Sequence, residues 1–73
     1  PAVLDAVAKL REYVDHRLWR EERILAAALA GQSATEMLPV VYDDVPAMAY
    51  PLAERQILAH LERLRRAGRL PAI

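Results

Sequence analysis

The sequence predicts a mainly α domain of three helices, and three observations carry that prediction. Apolar residues recur at three- and four-residue spacing along two long stretches, the signature of amphipathic helix. The 55% apolar content comes mostly from Ala, Leu and Val, with no Phe, one Trp and three Tyr, a balance that suits helices better than stacked sheets. At 73 residues there is room for one small core of marginal stability and little room for a catalytic cleft.

The first helix is expected over about residues 3–30. Its apolar stripe runs Val3, Val7, Leu10, Val14, Leu18 and then Leu25, Ala28 and Leu29. One long helix is the simplest reading; the stripe lapses at Glu21 and Glu22, which leaves a bend or break near Arg20 as the alternative. Arg17 and Glu21, four apart, are placed to pair. Gly31 stops the helix in the manner of a C′ residue. Ser33 and Glu36 then have the spacing of a capping box, which starts a second helix over about 34–42. Pro39 inside it lacks the N–H its turn would use, predicting a distortion or a tight 3₁₀-like end.

Asp43-Asp44-Val45-Pro46 reads as a loop, with Pro46 holding Val45 extended. Pro51 suits the first position of a third helix, over about 51–67, whose buried stripe is expected to be Leu52, Ala53, Ile57, Leu61 and Leu64. Gly68 ends it. Helices in this order form the skeleton of a helix-turn-helix. The remaining residues 69–73 could give only a first wing strand, so the wing is expected to be truncated or minimal.

Ten basic and ten acidic residues cancel, and no global charge draws the chain to nucleic acid or to an acidic membrane. The balance is uneven along the chain: residues 1–44 carry −3 and residues 45–73 carry +3. The absence of cysteine removes disulfides and thiolate metal sites and fits a reducing, cytoplasmic setting. No apolar run approaches the ~20 residues of a bilayer span, so no membrane partner is expected. The chain begins at Pro1 without Met, which predicts further sequence upstream.

Candidate chemistry is sparse. His16 and His60 have no histidine neighbour at metal-ligand spacing; His16 is expected to be packed or half-exposed and His60 to pack. Ser33 and Thr35 are used as helix-start residues. Glu21-Glu22 and Asp43-Asp44 read as solvated acids, and both glycines are helix stops rather than a phosphate-cradling loop. No catalytic, cofactor-binding or metal residue is therefore assigned. With Leu61 inward, Arg55, Ala59, Arg63 and Arg66 fall on the outward face of the third helix. Arg55, Arg63 and Arg66 are the candidate contacts to nucleic acid or another anionic substrate, with an ordinary solvated face as the plain alternative. Trp19, at the edge of the first stripe, is either covered by a neighbouring domain or packed over the loop after Tyr42.

Several of these pieces stand together: Tyr13-Val14-Asp15-His16-Arg17, then Arg20-Glu21, Ile24-Leu25, Gly31, Glu36 to Tyr42, Asp44-Val45-Pro46, Ile57-Leu58-Ala59-His60-Leu61, Leu64 and Gly68-Arg69. In this arrangement, from about Lys9 to Leu70, the chain resembles the winged-helix domain at the C-terminus of β-lactamase-like proteins of the metallo-β-lactamase superfamily. Gln32, where proline is common, and a short Gly31–Ser33 connection depart from the pattern. The resemblance implies a metal-dependent hydrolase whose zinc ligands, in a His-x-His-x-Asp-His motif, lie in an upstream αββα domain. That motif is absent here, so zinc is expected in the catalytic domain and no cofactor in this chain.

By the same resemblance some relatives are ribonucleases acting on single-stranded RNA and others are like hydroxyacylglutathione hydrolases. The implied role is a non-catalytic accessory domain that packs beside the catalytic domain and either shapes access to the active site or contacts substrate such as RNA; a homo-oligomer stays open. The competing expectation is a free-standing helix-turn-helix transcription factor, against which the zero net charge weighs.

Overall fold

A computed structural model describes residues 2–71 of the chain. Three α-helices form it: α1 Ala2–Leu29, α2 Ala34–Val41 and α3 Tyr50–Arg66, with a 3₁₀ turn, Ala47–Ala49, leading directly into α3. Among the described residues there is no strand. Of the stretch assigned to a wing strand, residues 69–71 are irregular, and Ala72 and Ile73 lie outside the described residues.

The helix ends follow from local chemistry. Ser33 caps α2: its hydroxyl accepts from the Glu36 N–H at 3.2 Å, and the Glu36 carboxylate accepts from the Ser33 N–H at 2.8 Å. Ser33→Ala is expected to cost about 1 kcal/mol, read as a lowered urea midpoint at unchanged slope. At the end of α1 the Gln32 N–H bonds the Ala27 carbonyl and the Gly31 N–H bonds that of Ala28, both at 3.0 Å. This double closure needs a left-handed residue, and Gly31 supplies it at φ 85°. Gly68, at φ 76°, closes α3 in the same way through Leu64 and Arg65.

α1 is the single long helix expected, and the distortion expected at Pro39 of α2 does not occur. α1 is unbroken through Arg20, because nothing there removes a backbone bond and the polar side chains that interrupt the stripe point at α3 and the α2–α3 connection rather than into an apolar core. α2 stays α-helical through Pro39 to Val41. The carbonyl that Pro39 leaves without a partner, that of Thr35, belongs to an exposed residue on the outer side of α2, open to solvent.

The core sits where the C-terminal half of α1 meets α2 and α3. Ile24, Met37, Val41, Ile57 and Leu64 are fully buried at its centre, with Leu25, Ala27, Leu38, Tyr42, Ala53 and Leu61 around them. Leu52, expected in this core, is exposed, and His60 takes part in the buried face of α3 instead. The first part of the α1 stripe stays outside this core: Val3, Val7, Leu10, Val14 and Leu18 are all exposed. The reason is length. At 1.5 Å per residue α1 spans roughly 42 Å and α3 roughly 25 Å, so the N-terminal half of α1 outruns the helices that could cover it, and the molecule measures 46 × 31 × 16 Å.

Candidate functional site

The polar centre of the molecule lies between the middle of α1, the connection after α2, and α3. Arg20 organises one side. It is only 7% exposed, and its guanidinium donates to the Val41 carbonyl at 2.8 Å and to both Asp44 carboxylate oxygens at 3.2 and 3.0 Å. The Tyr42 ring lies 4.2 Å beneath it, a desolvated cation–π contact. His16 Nε2 is 3.0 Å from the same guanidinium. Because arginine can only donate, Nε2 accepts and the His16 ring proton resides on Nδ1.

Glu21 organises the other side. Its Oε1 accepts from Arg63 Nε at 3.0 Å and from His60 Nδ1 at 2.9 Å, so α1 is tied to α3. Arg63 Nη2 also lies 2.9 Å from His60 Nδ1. One ring nitrogen cannot donate and accept in the same line, and the carboxylate, as the charged acceptor, takes its proton. The expected Arg17–Glu21 pair is thus replaced by Glu21–Arg63, which leaves Arg17 outside the ion pairs among the described residues.

An open cleft of about 390 Å³ lies between these two clusters. Tyr13, His16 and Arg17 of α1 and Gln56, His60 and Arg63 of α3 face it, over a floor that includes Arg20 and Tyr42. Three guanidinium groups line it and no carboxylate does. Among the described residues no three metal-ligating side chains gather. The donor set does not suit a metal either: one nitrogen of His16 is occupied by Arg20, and the arginines would repel a cation.

Of the residues singled out in the sequence, Arg63 enters this cleft. Arg66 lies exposed beside Glu62, bonded at 2.8 Å, and Arg55 is exposed on the outward face of α3. Trp19 is 48% exposed. It stacks on the Arg23 guanidinium at 4.7 Å, and Arg23 reaches the Val40 carbonyl and Asp43, so the indole borders the end of α2 while keeping half its surface open. The sequence reading missed Arg20, Tyr42, Asp44 and Gln56, whose Oε1 accepts from the Tyr42 hydroxyl at 3.2 Å. One signal was present: Arg20 lies four before Ile24 on one face of α1, and a charge on that face calls for an acid elsewhere, which the Asp43-Asp44 pair supplies.

The carboxylates of these contacts titrate low. Burial pushes Glu21 up, but hydrogen bonds from His60 and Arg63 outweigh it and the net shift is downward. The hydrogen bond from Arg69 lowers Glu22, that from the Ser33 backbone lowers Glu36, and that from Arg20 lowers Asp44. The unfolded chain, with ordinary values of 4.5 for Glu and 3.8 for Asp, therefore binds more protons than the folded one in acid. Each pair contributes stability that is fully present above the unfolded value and lost as pH falls through the folded one. The thermal midpoint is expected to lose this contribution progressively below about pH 5, as a pH series followed by circular dichroism would register.

Helix order, the capped α2 and the α2–connection–α3 unit define the class as a small winged-helix or helix-turn-helix domain with no strand among its described residues. Residues 33–70 match the beta-lactamase associated winged helix domain, and the chain belongs to that family. No solved structure matches the chain.

Proposed function

We propose that the chain is a non-catalytic accessory domain of a metallo-β-lactamase-fold, metal-dependent hydrolase. In this reading the catalytic domain covers the N-terminal half of α1, and the α1–α3 face contacts an anionic substrate such as RNA. The observation that carries the reading is the uncovered stripe Val3, Val7, Leu10, Val14 and Leu18, continued by the half-open Trp19. Apolar side chains in a continuous helical row, left outside the core of their own domain, are the mark of a surface made for another one. Family membership names the kind of protein in which such a neighbour occurs.

Arg55, Arg63 and Arg66 are the proposed substrate contacts on the α3 side. Gln56 is the single amide on α3, which leaves a stand-alone DNA reader little to match adenine edges with. The test is the reading frame that encodes the chain. An in-frame His-x-His-x-Asp-His segment upstream, and zinc-dependent hydrolysis by the whole product, are the expected results. A start codon immediately before Pro1 would sink the proposal.

A further inference from the structure

We infer that the cleft between α1 and α3 is a binding subsite for the phosphate of a nucleotide, with Arg17, Arg63, His16 and Gln56 as the phosphate donors and Tyr13 as the platform for the base. The inference deepens the proposed contact with an anionic substrate and rests on that reading for its biological setting, but not for its chemistry.

Hydrogen-bond accounting carries it. The acceptors around the cleft are largely spent: Asp44 and the Val41 carbonyl on Arg20, Glu21 on Arg63 and His60, and Gln56 Oε1 on the Tyr42 hydroxyl. Donors remain in excess. Arg17 has its whole guanidinium free among the described residues, Arg63 keeps its Nη1 hydrogens, His16 keeps the N–H on Nδ1, and the Gln56 amide keeps both hydrogens. A surplus of donors that includes the unpaired Arg17 guanidinium, with no lining carboxylate, is complementary to an oxyanion. Donors from both walls suit the tetrahedral phosphate better than the planar carboxylate.

One further feature extends the ligand beyond a bare anion. Tyr13 stands 67% exposed at the rim, where an unpaired base can stack on its ring. A volume near 390 Å³ is within the range of small-ligand sites.

The experiment uses the 73-residue chain with three probes: inorganic phosphate, uridine monophosphate, and a fluorescein-labelled oligouridylate. Side-chain resonances of His16 and Gln56 are followed by NMR for the first two, and anisotropy for the third. The chain is expected to bind uridine monophosphate more tightly than phosphate. Arg17→Gln and Tyr13→Ala, both at exposed positions and so compatible with folding, should each weaken nucleotide binding about tenfold. Arg65→Gln, the same change of charge on the opposite side of α3, should leave it within about twofold.

Equal affinity for mononucleotide and oligouridylate identifies a free nucleotide as the source, whereas tighter, salt-sensitive binding of the oligomer identifies a single strand. Both support the subsite. It is overturned if no probe moves the His16 and Gln56 resonances, if Arg17→Gln binds like the parent, or if Arg65→Gln loses as much as Arg17→Gln. Nucleotide binding that follows Arg17 in a chain whose reading frame lacks the hydrolase motif would keep the subsite and discard the accessory-domain reading; the reverse outcome would do the opposite.

Discussion

Arg20→Ala is expected to destabilise the domain by about 1–3 kcal/mol, a large share of the few kcal/mol that hold a domain of this size together. The substitution removes a 93% buried cation without removing what it serves. The Val41 carbonyl loses its donor beside the core, Asp44 loses both of its hydrogen bonds, and the Tyr42 ring loses the guanidinium stacked on it. Orphaned polar groups cost more than the bonds themselves contributed, because the desolvation remains. Lysine does not restore the site: an ammonium cannot reach the carbonyl and both carboxylate oxygens in the planar fork that Arg20 uses. Urea unfolding of Arg20→Ala and Arg20→Lys should give a lowered midpoint for both, with lysine the milder. A midpoint unchanged for Arg20→Ala would show that the network contributes nothing.

Ile57→Ala is the second large effect, about 2–5 kcal/mol. Ile57 has 0% exposure and stands at the centre of the core with Ile24, Met37, Val41 and Leu64. Truncation removes apolar contact on every side, and the helices can close the void only by abandoning the ion pairs that fix their distance, Glu21–Arg63 among them. The matched comparison is Leu52→Ala on the same helix. Leu52 belongs to the stripe that periodicity assigns to the core, yet it is 59% exposed, and its truncation should stay within about 0.5 kcal/mol. Comparable losses for both variants would contradict the packing described here.

The contrast between Ile57 and Leu52 marks how far the sequence could be read. Three helices, their capping box and their glycine stops were legible because each depends on residues within a few positions of one another, and the structure places them within a residue or two of the expected bounds. Periodicity also identified α1 as amphipathic, but it cannot say which part of a stripe meets a neighbour. That depends on how far α2 and α3 extend, and they reach only the C-terminal half. The interruption at Glu21 and Glu22 looked like a weak point in the helix. It is where α1 changes from a surface outside the core to one inside it, with Glu21 bonded to α3 and Glu22 to Arg69. The arginines were the least legible, since pattern alone puts Arg63 outward and Arg20 beside a break. Their partners, Glu21 and Asp44, are 42 and 24 positions away in the chain. No local rule pairs residues at such separations.

The central claim is that the N-terminal half of α1 is a surface for another domain, and amide hydrogen exchange over residues 3–18 tests it most directly. In the isolated chain these amides should exchange rapidly, since a helix half without tertiary contacts frays and reopens freely. In the complete product of the gene, the same amides should be protected, with Val7, Leu10 and Val14 on the stripe slowed by at least about a hundredfold, equivalent to roughly 2.7 kcal/mol. Equal and rapid exchange in both proteins would contradict the claim and leave the stripe an exposed helix face with nothing to cover it.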